Sequence, residues 1–260
     1  MTRNLADLSS HAAVAALQDD SVIVIPVGAI EHHGPHLPLS TDLVIAEQLA
    51  IAAVEAASSA GVNVWLLPAL AYTKSDEHHW APGSIWLGWD TLMKTLVDIG
   101  RSLAATPCTR VVFYNGHGGN SALLQVACRE LRREFGLQTF LLAGAAPAAA
   151  DAAGRGDESG LGIHGGHVET SLLLHLRPDL VDMGLAVRSV PEHLLQYSHV
   201  GFGKAASFGW LSNDFGPSGV IGDPTTATAA FGRAHFETMV GRAAAALAEI
   251  AVFTPAPEKS

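Results

Sequence analysis

Hydrophobic positions along the first half of the chain alternate between two rhythms. Ser21-Val-Ile-Val-Ile-Pro-Val27 is an almost unbroken β-branched run closed by Gly28, the pattern of a strand buried on both faces. From Thr41-Asp42, read as the helix cap, to about Ala57 the apolar residues Leu43, Ala46, Leu49, Ala50, Ala53 and Val54 recur at helical spacing. Val62 to Leu67 predicts a second strand, and Asp90 to Thr106 a helix with Leu92, Leu96, Ile99 and Leu103 on one face. Arg110 to Asn115 predicts a third strand, Asn120 to Phe135 a helix, and Thr139 to Leu142 a fourth strand. Strands and helices in strict alternation imply right-handed crossovers and a mainly parallel sheet, hence an α/β fold.

The second half is less regular. Gly144 to Gly160 is rich in Ala, Gly and Asp and reads as a surface segment or lid. A helix is expected from about Val168 to Leu176 and a last one from about Thr225 to Ala251, followed by a frayed tail from Thr254. Residues 185 to 223 show no usable period. Residues 1–260 read as one domain.

Composition narrows the function. Apolar residues make up 48% and charged residues only 15%, which excludes a disordered chain. A net charge of −10 speaks against a nucleic-acid backbone as partner. No apolar run approaches a membrane span and the N-terminus lacks a signal-type core, so a cytoplasmic protein is expected. Cys108 and Cys128 are too few for a disulfide framework or thiolate metal knuckle and read as packing residues. Trp86 and Trp89 read as interface or core aromatics.

Thirteen histidines remain to be explained, and the notable ones sit in short polar clusters. Glu31-His-His-Gly-Pro-His36 follows the first strand and Asn115-Gly-His-Gly-Gly-Asn120 ends the third. Ligands of open parallel sheets bind beyond strand C-termini, so both clusters belong on one rim. His164-Gly-Gly-His-Val-Glu-Thr-Ser171 enters a helix. Glu31 and His33, two apart in an extended segment, point the same way. With Asp42, His117 and Glu169 they offer three carboxylates and two imidazoles, a set suited to zinc, manganese or iron. Asp42, with two oxygens, is placed to span two cations, and such a pair activates water at neutral pH. Each residue also has a plainer reading: Asp42 as a cap, any one histidine as a hydrogen-bonded polar group, Gly116 to Gly119 as a phosphate-cradling turn. The last lacks the glycine spacing and lysine of nucleotide loops. His78-His79-Trp80, beside Asp76 and Glu77, reads either as a solvated loop or as a liner of the substrate pocket.

Pro26-Val-Gly-Ala-Ile-Glu-His-His-Gly-Pro-His-Leu-Pro-Leu-Ser-Thr-Asp42 closely resembles the opening signature of the creatininase (creatinine amidohydrolase) family. Asn115 to Asn120 resembles its second signature, His167-Val-Glu-Thr-Ser171 its third, and Gly219 to Thr228 a C-terminal stretch of its members. The resemblance implies a three-layer α/β/α sandwich, two divalent metal ions, and a homo-oligomer, often a hexamer. It implies that Glu31, Asp42 and His117 hold one metal, that His33 and Asp42 hold the other, and that His164 transfers a proton. Gly119 stands where creatininase proper has a ligand glutamate, so Glu169 becomes the candidate replacement or a general base. Gly160 to Ile163 lacks a creatininase tryptophan, and both departures count against creatinine as substrate. The expected activity is hydrolysis of a small non-peptide C–N amide bond, such as a cyclic amide or formamide, by a metal-activated hydroxide. The alternatives are a mycofactocin-type precursor peptidase and an inactive oligomeric metal-binding scaffold.

Overall fold

Alternate residues of the first strand face two different hydrophobic cores, and this fixes the architecture. The computed structural model describes residues 3–143 and 158–255. Among them, strands β1 (Val22–Val27), β2 (Val64–Leu66), β3 (Arg110–Asn115) and β4 (Gln138–Ala143) form an all-parallel sheet in the order β2-β1-β3-β4. Val22 and Val24 of β1, with Val112 and Tyr114 of β3, pack beneath helices α2 (Thr41–Ser59), α5 (His167–Leu176) and α6 (Ala229–Val252). Ile23, Ile25 and Val27, with Val111 and Phe113, pack beneath α3 (Trp89–Ala104) and α4 (Ser121–Phe135). Two covered sheet faces make a three-layer α/β/α sandwich, which is why β1 carries no polar alternation.

The predicted elements are present with small shifts. A short helix α1 (Ser10–Ala16), capped by Ser9, had no clear sequence period. The last helix starts at Ala229, because Asp223 first caps a short turn over Pro224–Thr226 and Thr228 then caps α6. The cap expected at Thr41-Asp42 lies at Ser40, whose side chain makes no capping bond. Asp42 is inside the first turn, and its carboxylate turns toward histidines instead. Residues 185–223 consist largely of short turns and bridges, including Ser189 to Gly222 and His164 to Ile221. Most of the segment from Gly144 to Gly160 lies outside the described residues. Trp86 and Trp89 are exposed, not core residues.

The rim is built by close approach. Val27 and Asn115 are register partners, so the chain leaves β1 and β3 side by side. A Cβ at Gly28 would lie 2.5 Å from the Leu43 Cα, and one at Gly116 would lie 2.8 Å from the Asp42 carbonyl. Glycine at both places lets the first turn of α2 rest on the rim and brings Asp42 between the two strand exits.

Gly28→Ala forces backbone against backbone, and a loss of roughly 1–3 kcal/mol is expected in urea denaturation. Gly241→Ala, at a helical position with nothing near its missing Cβ, should instead stabilise α6 by up to about 1 kcal/mol.

Candidate metal centre

The expected residues converge. Asp42 lies between two imidazoles, with Oδ1 3.1 Å from His33 Nε2 and Oδ2 3.0 Å from His117 Nδ1. Glu31 reaches the same imidazoles, with Oε2 3.3 Å from His117 Nε2 and Oε1 3.8 Å from His33 Nε2. The first cluster after β1 and the histidine after β3 thus share one rim. Glu31, His33, Asp42, His117 and His164 are all buried. Glu169, at the start of α5, is half-buried, and its Oε2 accepts the Gly165 N–H at 2.6 Å.

Backbone anchors set the imidazole orientations. His33 Nδ1–H donates to the Glu31 carbonyl at 3.2 Å, leaving Nε2 toward Asp42. His164 Nε2–H donates to the His32 carbonyl at 2.7 Å, so its Nδ1 faces Glu31 Oε1 at 3.7 Å. A fixed tautomer with an inward lone pair is what a ligand or proton carrier needs. The Asn115 amide clasps His117, donating to its carbonyl and accepting its N–H. His36 bonds Thr170, tying the first motif to the third. Glu158 Oε1 accepts the N–H groups of His167 and Asp223, holding the α5 entrance to the segment before α6.

Among the described residues, three sets of donors lie close enough to grip an ion: Glu31 with Asp42 and His117, His33 with His164 and Glu169, and Glu31 with His78 and His164. Glu31 Oε1, Asp42 Oδ2 and His117 Nε2 are buried without hydrogen-bond partners. Buried polar atoms without hydrogen-bond partners are costly unless a cation sits among them, so the donor set fits divalent metal.

Glu77 and His78 also belong to the cluster. Their turn, Asp76–His78, places His78 Nε2 3.4 Å from Glu31 Oε1 and Glu77 Oε1 3.4 Å from His117 Nε2. Their neighbour Ser75 donates to Glu31 Oε2 at 2.5 Å. Glu77 and His78 are buried against the cluster, so the solvated reading does not hold for them, while Asp76 and His79 of the same segment are exposed. Asp76 and Glu77 beside the histidine pair were the available signal, but no spacing rule tied them to a strand end.

Charge follows from this packing. Burial opposes protonation of His33, yet the carboxylates of Asp42, Glu169 and Glu31 lift it to about 10. Burial raises Glu169 to about 7. Burial, with protonated His33 nearby, lowers His78 to about 3 and holds His164 well below its ordinary value. Beside the cluster a cavity of about 420 Å³ is lined by His117, Glu158, His164, Glu169 and Phe202 among others.

A cluster of carboxylates and imidazoles on the C-terminal rim of a parallel α/β/α sheet defines a metallohydrolase-like centre. The family model for creatininase, creatinine amidohydrolase, matches residues 6–247, and the chain belongs to the creatininase family. A mycofactocin precursor peptide peptidase of Mycobacterium ulcerans is 40% identical over 242 residues, 91% of this chain and 87% of that one. A creatinine amidohydrolase of Pseudomonas putida is 34% identical over 204 residues, 72% of this chain and 75% of that one. Solved creatininases of a manganese form and of a zinc–zinc type superpose with TM-scores of 0.76 each, at 29% and 28% identity. They cover 96% and 95% of this chain, and 98% of each of those chains is matched. No helix among the described residues is long and apolar enough to cross a membrane.

Histidine NMR on the metal-free chain should find His33 protonated until about pH 10 and His78 unprotonated down to about pH 3. The stabilisation linked to His33 is complete below its unfolded value of about 6.5 and is lost as pH rises through about 10. His78 acts in the other sense, destabilising the fold as pH falls from about 6.5 toward 3. Titration of both rings near 6.5 would contradict this packing.

Proposed function

We propose that this chain is an amidohydrolase that works with two divalent cations, zinc or manganese, iron being the other candidate. Glu31, Asp42 and His117 hold one ion, and His33, Asp42 and Glu169 the other. The observation that carries the reading is the position of Asp42, each of whose oxygens faces a different imidazole. The buried, unpartnered oxygens and ring nitrogen around it support the same reading. Divalent ions bound there supply Lewis acidity toward an amide carbonyl and lower the pKa of water.

The chain's own groups then position and move protons. Held by the His32 carbonyl, His164 keeps Nδ1 toward the site, where it takes a proton from attacking water and passes it to the leaving nitrogen. Without that proton the nitrogen would depart as a poor amide anion. The Gly165 N–H fixes one oxygen of Glu169 and so orients the carboxylate as a ligand. His36 and Asn115 act on the reaction only through the histidine and loop they position.

The bond cleaved is an amide C–N bond. Similarity at 40% identity to a peptidase favours a peptide, whose end fits a cavity of about 420 Å³. Similarity to a creatinine amidohydrolase favours the second reading, a small cyclic or formyl amide. A metal-loaded enzyme offered short peptides and small amides in parallel separates the two. Metal-loaded protein that hydrolyses neither class would be an inert scaffold. A homo-oligomer in the cytoplasm, hexameric by family resemblance, completes the proposal, and light scattering checks its size.

Asp42→Ala should remove more metal than His33→Ala in elemental analysis, because it serves both ions. Loss of the same single ion from both variants would refute the shared role. His164→Ala should keep its metal while kcat and kcat/KM fall roughly 10²–10⁴-fold, less for substrates with better leaving groups. Loss of metal in that variant would make His164 a ligand.

A further inference from the structure

Among the carboxylates around the centre, Glu77 answers to no motif. It stands on the turn Asp76–His78, and its side chain is 11% exposed. Oε1 faces His117 Nε2 at 3.4 Å, while Oε2 lies 3.2 Å from Lys74 Nζ. The carboxylate comes in through a gap: a Cβ at Gly119 would overlap both Glu77 Oε1 and His117 Nε2. Gly119 is therefore not simply a missing side chain, since the volume its side chain would occupy is filled by a carboxylate from another loop.

That loop is fixed in place. Asn120, one residue after the gap, accepts the Lys74 N–H at 3.1 Å and donates to Thr73 Oγ1 and the Gly28 carbonyl. On the far side the Ser212 hydroxyl donates to the Glu77 carbonyl. His117 Nε2, buried and without a hydrogen-bond partner, thus lies between Glu31 Oε2 at 3.3 Å and Glu77 Oε1 at 3.4 Å. Ligands about 2.1 Å from a tetrahedral ion stand roughly 3.4 Å apart, so both separations fit edges of a coordination shell.

We propose that Glu77 is a metal-holding carboxylate of this centre, that it reaches the centre through the gap at Gly119, and that positions 77 and 119 form one coupled unit. The proposal rests on the two-metal reading above. The competing account makes Glu77 only the ion-pair partner of Lys74. It predicts that removing either partner has the same effect.

Zinc binding by chelator competition, with elemental analysis and circular dichroism to verify folding, separates the accounts without any substrate. Glu77→Gln should weaken one zinc site roughly 10–100-fold, whereas Lys74→Met should change affinity by less than about twofold. Gly119→Ala should also weaken zinc, because the new methyl group displaces the Glu77 carboxylate. The double variant E77A/G119E returns a carboxylate from the opposite loop and should recover at least about tenfold of the affinity that E77A loses. Folded Glu77→Gln with both zinc ions held at full affinity would overturn the assignment of Glu77 alone. So would equal losses in Glu77→Gln and Lys74→Met. A wild-type chain that binds no zinc, manganese or iron would overturn the two-metal reading as well.

Discussion

Charge balance in a buried space is the constraint on which this site depends. Glu31, Asp42, Glu77 and Glu169 are crowded into one region with His33, His78, His117 and His164, and Lys74 is the ammonium group at its edge. Uncompensated, so many carboxylates out of water would cost several kcal/mol apiece. In the absence of metal the deficit is met by protons: burial raises Glu31 and Glu169, while His33 and His117 stay protonated far above their ordinary range. A cation performs the same neutralisation by taking up the carboxylate oxygens and imidazole lone pairs that the protons occupy. Protons and metal thus compete for one set of atoms, and metal uptake releases protons.

Close approach of the backbone makes that crowding possible. The glycines at 28 and 116 let α2 begin against the sheet, and Asn120 ties the loop after β2 to the loop after β3. Burial elsewhere is ordinary packing, but here small residues and amide side chains set where the carboxylates stand. The hydrogen bonds from His33 and His164 to backbone carbonyls then decide which nitrogen of each ring faces inward.

Much of this was legible in the sequence, for identifiable reasons. The run at 22–27 reads as a doubly buried strand because no polar residue interrupts it, and parallel pairing with β2 follows from the helix α2 between them. Glu31, His33, Asp42 and His117 stand out because each follows a strand end or opens a helix. Glu77 and His78 do not, since their turn lies in a long connection whose course is set by Asn120 and Ser212, contacts 46 and 135 residues distant in sequence. The same limit applies to 219–223, whose pairing with His164 depends on a bridge between remote segments. The cap expected at Thr41-Asp42 lies one residue earlier, at Ser40, while the expectation that Asp42 uses both oxygens agrees with the two histidines facing them.

The spread of the proposed ligands along the chain has a consequence for how the protein matures. Glu31, Asp42, Glu77, His117 and Glu169 come from five separate segments, and their meeting requires β1 and β3 to be paired and α5 docked on α2 and α6. No two adjacent segments of a nascent chain hold the complete set, so a high-affinity metal trap cannot exist before the long-range parallel pairing is made. Such pairing closes large loops and is slow relative to local helix formation. On the proposed ligand set, metal loading would therefore follow completion of the fold.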